Sequence, residues 1–287
     1  MRTVSVNHYE NFPVASVLCP PRLRPAITAI YRFARTADDL ADEGSATPRQ
    51  RLADLAAFRV DLQAVAAGWA PSPRWPDVFL PLANVLRAHR LPLPLLTDLL
   101  GAFEQDVVKH EYADREELLD YCRRSANPVG RLLLHLYGVN DAASLNQSDA
   151  ICSALQLTNF WQDLSVDTAN GRLYLPLADC RRHGVDARAP LACEDSPKTR
   201  ALVADAVAWA RALMLHGAPL VHRVPGRAGW ELRLVVQGGL RILERIEQMN
   251  FGTLGTRPRL RWFDVPVLAW RAVRMRPAVL SVRQETA

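Results

Sequence analysis

The chain has 287 residues, of which 49% are hydrophobic and 23% charged, so it is long enough to bury a substantial core. Its 35 basic and 30 acidic residues leave a net charge of +5. This weak excess does not indicate a nucleic-acid partner, and it suits an anionic substrate or a membrane surface slightly better. The five cysteines are widely separated without zinc-type spacing, which indicates reduced thiols in a cytosolic protein.

The two ends and the linker content predict where the protein resides and how many domains it has. The N-terminal residues lack the apolar core of a signal peptide, and no run of about 18 apolar residues predicts a membrane span. No segment has the length or composition of a linker. We therefore expect one domain over residues 1–287, in the cytoplasm or peripherally on the inner face of the membrane.

Apolar residues recur at helical spacing through most of the chain, whereas the alternation of a β-strand is scarce. This pattern predicts an all-α fold, a single helical bundle. In chain order, the predicted helices cover residues 22–43, 50–67, 77–89, 94–110, 116–136, 149–167, 199–216 and 230–250.

The first helix ends in an acidic cluster within the sequence AIYRFARTADDLADEG. Asp38 and Asp42 are four residues apart, so both carboxylates project from one helix face, with Asp39 beside them. Like charges at this spacing, at the negative end of the helix dipole, are unfavourable by a few tenths of a kcal/mol. A bound Mg²⁺ would offset that cost, and Arg35 lies one turn away. A solvated acidic face is the alternative.

The sixth predicted helix carries a second cluster within QLTNFWQDLSVDTANGRLYLP. Gln156, Asn159, Asp163 and Asp167 form a polar stripe on a helix that is otherwise apolar. No Glu, Lys or Arg occurs between Asp149 and Arg172, so the stripe lacks the mixed charges of a solvent face. An inward-facing stripe needs hydrogen bonds or metal ions to satisfy it.

Two such clusters can face each other across a cavity, with cations bridging the carboxylates to a diphosphate. Cations would stabilise the charge on departing pyrophosphate. The remaining carbocation requires an apolar, water-poor chamber.

The sequence resembles the squalene/phytoene synthases, the head-to-head prenyltransferases. The resemblance extends from residue 11 to about 257 and is carried by NFPVAS, LRPAITAIYRFARTADDLADE, YCRRSANPVGRLLLHLYG and the second acidic block. It implies an isoprenoid-synthase-type helical bundle with a central active-site cavity, a prenyl diphosphate substrate, and two or three Mg²⁺ ions without a nicotinamide cofactor.

The resemblance also assigns roles to individual positions. The implied metal ligands are Asp38, Asp42, Asn159, Asp163 and Asp167. The positions that contact diphosphate or metal-bound water are Arg35, Gln156, Arg172 and Tyr174. Tyr31 and Phe12 lie at positions where members of the family line the substrate pocket. The resemblance also counts Tyr31 among the catalytic residues. An ordinary core position is the alternative for Tyr31.

Two departures from the family pattern bear on the reaction. Gln162 stands where the family has an Arg beside Asp163, and YCRRSANPVG places Arg123 and Asn127 where the family has YCYxVAGxVG. The residues of these blocks most resemble those of the family members that convert presqualene diphosphate and water into hydroxysqualene in bacterial hopanoid formation. We hypothesise that Asn127, Arg123 or a neighbouring polar group orients the attacking water.

Alternatives remain open at this level. The chain could condense two prenyl diphosphates, as squalene, dehydrosqualene and phytoene synthases do. It could also be a non-catalytic family member acting in assembly, although such a protein would be expected to lose the metal-binding aspartates, and all four are present.

Two further features carry structural predictions. Pro128 should bend the helix predicted at 116–136, because proline lacks a backbone donor and clashes with the preceding turn. Residues 257–276 interleave arginines with Trp262, Phe263 and Trp270, within a possible membrane-facing tail over 257–287. A solvated basic tail is the alternative.

Overall fold

The structure is a computed structural model that describes residues 19–276. Phe12 and the NFPVAS motif lie outside the described residues. Within them the fold is helical and contains no β-strand, which confirms the all-α prediction. The helices are α1 (Arg24–Asp42), α2 (Pro48–Ala66), α3 (Pro76–His89), α4 (Leu93–Asp106), α5 (Arg115–Ser125), α6 (Asn127–Tyr137), α7 (Ala142–Gln162), α8 (Leu164–Ala169), α9 (Leu177–Arg182), α10 (Arg188–Leu191), α11 (Pro197–Gly217), α12 (Gly226–Gln248) and α13 (Asp264–Arg274).

Helices α1 to α4 pack around an aromatic core. Phe58 contacts Phe33, Phe79 and Trp75, with ring centroids 4.6–5.3 Å apart. Helix α2 begins with a capping box, because Thr47 accepts from the backbone N–H of Gln50. The buried side of α1 is apolar as far as Ala41, so its acidic residues are confined to the remaining face near the helix end.

The long helices α7 and α11 lie against each other in the second half of the chain. Their close approach is explained by Gly217, since an added Cβ would lie 2.6 Å from the carbonyl oxygen of Gln147. The segment Pro197–His222, contrary to the expectation from the sequence, is long and apolar enough to cross a membrane by length and composition. In the fold it packs along α7 through buried residues such as Leu202, Val203 and Val207.

The predicted helix over 116–136 is two helices. Ala126 has φ −121° and ψ −47°, and Pro128 lies in the first turn of α6. The bend predicted at this proline is therefore a complete break, because proline is well accommodated where the first backbone N–H groups have no intrahelical partner.

The helix predicted at 149–167 also differs from the structure. It begins earlier, at Ala142, because the Asp141 side chain accepts from the backbone N–H of Ser144. It is interrupted at Asp163, after which α8 begins. The short helices α8 to α10, and α13, were not predicted separately; each is too short for a convincing apolar period.

A parallel bridge holds the loop that follows α8. The backbone N–H of Leu173 donates to the carbonyl of His110 at 2.8 Å, and that of Leu177 donates to Tyr112 at 2.9 Å. These bonds fix Arg172 and Tyr174 beside the end of α4.

Substituting Gly217 tests the α7–α11 contact. Gly217→Ala should lower the free energy of unfolding by about 1–3 kcal/mol, because the new methyl group meets backbone atoms of α7 that cannot move aside. Gly101→Ala in α4 is the matched control, since its Cβ would meet nothing within 4 Å. The control should be neutral or stabilising by up to about 1 kcal/mol. Urea denaturation measures both; equal effects would refute the steric explanation.

Candidate active site

A cavity of about 500 Å³ lies between α1, α6, α7 and α12. Its wall is mainly apolar, with Tyr31 and Phe103 among the lining residues. Arg35 and Asp38 lie in the wall near the end of α1. Ile27 lies eleven residues before Asp38 on the same helix, so the chamber runs about 16 Å along α1. The shape fits an extended apolar molecule with an anionic head.

Arg35 organises the first acidic cluster. Its guanidinium donates to Asp38 at 3.0 Å and also pairs with Asp39 and Glu43, each at 2.7 Å. Burial raises the pKa of Asp38 to about 6, although Arg35 opposes the shift. Asp42 raises it further. One arginine therefore offsets the repulsion among the carboxylates only in part.

Arg172 connects the two acidic motifs. Its guanidinium binds both carboxylate oxygens of Asp42, with Nη1 3.1 Å from Oδ2. Burial raises the pKa of Asp167 to about 7, with Asp163 contributing most after burial and Asp42 also raising it. The end of α1 and the start of α8 thus lie close enough for their carboxylates to interact electrostatically.

Arg257 pairs with the second cluster from far along the chain. Its guanidinium forms a bidentate pair with Asp163, with Nη2 2.9 Å from Oδ2. Gln162 is buried and donates to the carbonyl of Pro258 at 2.7 Å, which fixes the segment that carries Arg257. The family's arginine beside Asp163 is absent at position 162, and Arg257 supplies a positive charge there instead. No local sequence signal joins residues 94 positions apart.

The donor chemistry of the four aspartates fits Mg²⁺, which prefers carboxylate oxygens. Within residues 19–276, no three His, Cys, Asp or Glu side chains are close enough to enclose an ion by themselves. Mg²⁺ in proteins is usually held by one or two carboxylates, with water and phosphate oxygens as its other ligands.

Asp106 is a site residue that the sequence reading missed. One carboxylate oxygen accepts from the Tyr121 hydroxyl at 2.8 Å, and Oδ1 is buried without a hydrogen-bond partner. Burial raises the pKa of Asp106 to about 7, with Asp38 and Asp42 raising it further. The only sequence signal was an acidic residue at the end of an apolar helix, and such residues are usually solvated.

Four aromatic side chains pack against one another beside Asp106. Tyr174 stacks on Phe160 with ring centroids 3.7 Å apart and planes at 6°. Tyr121 and Tyr112 lie beside this pair. Tyr174 is buried, and burial together with Asp106 raises its pKa above the ordinary range of tyrosine.

The remaining predicted residues occupy different positions. Tyr31 and Arg35 line the chamber. Gln156 is half-buried and Asn159 exposed on α7, before Asp163. Arg123 is exposed and pairs with Asp120 at 2.7 Å. Asn127 is buried and accepts from the Ser153 hydroxyl at 3.0 Å, without contributing to the described chamber wall.

The family model for squalene/phytoene synthase matches residues 6–264 of this chain. The hydroxysqualene synthase of Sinorhizobium fredii is 33% identical over 249 residues, covering 86% of this chain and 82% of that protein. The presqualene diphosphate synthase of Rhodopseudomonas palustris is 36% identical over 183 residues, 63% of each chain. The crystal structure of squalene synthase HpnC from Alicyclobacillus acidocaldarius superposes with a TM-score of 0.78 at 38% identity, covering 85% of this chain and 90% of that one.

The chain belongs to the squalene/phytoene synthase family. It is an enzyme of that type, and its predicted likeness to the bacterial hydroxysqualene synthases is confirmed. Its helical bundle is the isoprenoid-synthase fold that the motifs implied.

The raised pKa of Asp106 predicts an unusual dependence of stability on pH. Between the unfolded value of 3.8 and the folded value of about 7, the unfolded carboxyl is ionised while the folded one keeps its proton. The extra proton affinity of the folded state therefore contributes fully to the free energy of unfolding below the unfolded pKa. This contribution is lost as the pH rises through the pKa of the folded state. Asp106→Asn should leave stability similar at pH 4 and raise it by about 2–4 kcal/mol at pH 8.

Urea denaturation at the two pH values, with EDTA present, measures the effect. Asp120→Asn is the control, because the pKa of Asp120 is lowered by hydrogen bonds from Arg123 and Arg124 and its removal should not stabilise the protein at pH 8. Equal or lower stability of Asp106→Asn at pH 8 would contradict the burial explanation.

Proposed function

We propose that this enzyme converts presqualene diphosphate and water into hydroxysqualene and diphosphate with Mg²⁺, in squalene and hopanoid biosynthesis. The observation that carries the proposal is the pairing of Arg172 with Asp42 and the electrostatic interaction of Asp42 with Asp167, beside an apolar chamber that Arg35 and Asp38 line. The likeness to hydroxysqualene synthases over most of the chain supports this reaction.

The arginines at the polar end are suited to receive a diphosphate. Arg35, Arg172 and Arg257 each pair with a carboxylate that is a proposed metal ligand. Planar guanidinium groups bind phosphate oxygens bidentately, so these side chains can exchange carboxylate for diphosphate. If the aspartates held metal ions, Arg35, Arg172 and Arg257 would be available to bind the diphosphate.

The aspartates would hold the metal ions. Asp38 and Asp42 from α1, Asp163 and Asp167 from the α7–α8 junction, and Asn159 provide the oxygen ligands. Bound Mg²⁺ supplies Lewis-acid stabilisation of the negative charge on the departing diphosphate.

The chamber residues then determine the fate of the carbocation. The carbon–oxygen bond to diphosphate breaks, a new carbon–oxygen bond forms to water, and the water loses a proton. Tyr31 and Phe103 place aromatic rings in the wall near Asp38, where a cation is stabilised by their faces. The apolar wall limits water, so capture requires one positioned molecule rather than bulk solvent.

Two sets of residues are candidates for placing the attacking water. The prediction from sequence is Asn127, Arg123 or a neighbouring polar group. Asp106 and Tyr121 form a second candidate: a carboxylate–hydroxyl pair whose carboxylate interacts electrostatically with Asp38 and Asp42, suited to placing the water and accepting its proton.

The second candidate function is head-to-head condensation of two prenyl diphosphates, as in squalene, dehydrosqualene or phytoene formation. It is supported by the likeness to the presqualene diphosphate synthase of Rhodopseudomonas palustris. The replacement of the family's arginine by Gln162 favours ionisation of one preformed diphosphate over the holding of two. A non-catalytic assembly role is disfavoured by the complete set of aspartates.

We also propose that the enzyme works in the cytoplasm, bound peripherally to the inner face of the membrane. Its proposed substrate and product are water-insoluble hydrocarbons apart from the polar head. Contact with the bilayer would shorten their transfer into the chamber.

Incubation of the purified protein with presqualene diphosphate and Mg²⁺, without NADPH, tests the reaction. Mass spectrometry should detect hydroxysqualene together with one released diphosphate, and EDTA should abolish both. A parallel incubation with farnesyl diphosphate should give little presqualene diphosphate. Efficient formation of presqualene diphosphate, without turnover of added presqualene diphosphate, would instead establish the condensing function.

Asp167→Asn tests the metal-binding assignment. The amide keeps the size but loses a charged ligand, so kcat/KM should fall by about 10²-fold or more, and the Mg²⁺ concentration for half-maximal activity should rise. Asp195→Asn is the control, because Asp195 pairs with Arg200 outside the site and its loss should leave the Mg²⁺ response unchanged. An unaltered Mg²⁺ response in Asp167→Asn would exclude Asp167 as a ligand.

A further inference from the structure

Helix α13 has apolar residues on two sides, and only one of them faces the fold. Val267 and Leu268 are half-buried and Ala272 is buried, as expected for the inner side of a surface helix. Val265, Trp270 and Val273 are 62%, 56% and 66% exposed. These three residues give α13 a second apolar side that faces outward.

Ion pairs attach the inner side of α13 to α12. The buried Asp264 carboxylate accepts from Arg241 at 2.8 Å and from Arg245 at 2.7 Å, both on α12. Arg271 pairs with Glu244 at 2.5 Å. These bonds attach α13 to α12 in one orientation, so the outward apolar side is a defined surface of the folded protein.

Further aromatic residues extend this surface onto the preceding loop and onto α12. Trp262 is 83% exposed and contacts Phe263, and Trp230 is 45% exposed. Arg233 joins the two helices, since its guanidinium lies over Trp230 at 4.3 Å and donates to the Ala272 carbonyl at 3.4 Å. We call this surface the aromatic face; it comprises Trp230, Leu234, Trp262, Phe263, Val265, Trp270 and Val273.

Arginines surround the aromatic face. Four of the six arginines in residues 257–276 are exposed, whereas Arg257 and Arg271 are half-buried and pair with Asp163 and Glu244. Arg261 and Arg274 are exposed, and Arg274 lies over Trp270 at 4.1 Å. Arginine side chains beside exposed tryptophans match an interface of anionic headgroups above acyl chains.

We propose that the aromatic face docks onto an anionic lipid bilayer, which makes specific the membrane contact proposed above. A second copy of the chain fits less well, because a two-fold contact would bring these arginines against their own equivalents. The opposite side of α12 lines the chamber through Leu232 and Val235. Docking would therefore place the bilayer one helix away from the site where a lipid-soluble substrate is held.

Vesicle flotation tests the proposal with the full chain. The protein should bind vesicles of phosphatidylcholine with phosphatidylglycerol, and bind vesicles of phosphatidylcholine alone at least tenfold more weakly. Trp262→Ala with Trp270→Ala should reduce binding at least tenfold, since the exposed rings insert at the interface. Trp69→Ala is the matched control: Trp69 is 74% exposed but lies after α2, outside the aromatic face, and binding should be unchanged.

The contribution of the arginines to vesicle binding is tested separately from that of the tryptophans. Arg261→Gln with Arg274→Gln should weaken binding by roughly fivefold per arginine and reduce its salt sensitivity. Circular dichroism melting confirms that each variant is folded. Binding that is equal in all variants, or absent in the wild type, would overturn the proposal.

Sedimentation together with vesicle binding distinguishes a bilayer from a second copy of the chain, or from residues 277–287, as the partner of the aromatic face. A wild-type dimer that dissociates in the tryptophan variant, without vesicle binding, would assign the face to a second copy. Vesicle binding that appears only after truncation at Arg276 would assign it to residues 277–287. Either result overturns membrane docking but leaves the product assay, and hence the proposed reaction, unaffected.

Discussion

The site depends on the compensation of several carboxylates gathered at one end of an apolar chamber. Asp38, Asp42, Asp163 and Asp167 would repel one another without nearby cations. In the described structure Arg35, Arg172 and Arg257 provide the positive charge. Because burial raises the pKa of Asp38 and Asp167 despite these arginines, the compensation is incomplete. The same imbalance, which costs stability, would favour the binding of divalent cations at this end of the chamber.

The scaffold serves this arrangement by fixing elements that are distant in sequence. The parallel bridge between Glu111 and Leu173 holds the loop of Arg172 beside α4. The buried Gln162 holds the segment of Arg257 against the end of α7. Both loops are therefore ordered by hydrogen bonds to the backbone. The ion pairs of Arg172 and Arg257 do not have to offset the conformational entropy lost when these loops are ordered. The aspartates thus receive partners from three separate parts of the chain.

The charge beside Asp163 comes from a segment that is distant in sequence. Arg257 forms a bidentate pair with Asp163. Gln162 donates to the carbonyl of Pro258 and so holds the segment that carries Arg257. The positive charge at Asp163 is therefore supplied by tertiary structure and not by a neighbour in the sequence.

The sequence determined the all-α class, the two aspartate pairs and the membership of the family, because helical periodicity and i,i+4 spacing are local properties. It did not indicate Asp106, the pairing of Arg257 with Asp163 or the exposed apolar side of α13. Those features depend on which helices pack together: burial turned an ordinary acidic residue at a helix end into a group with a pKa of about 7, and ion pairs to α12 decided which side of α13 faces outward.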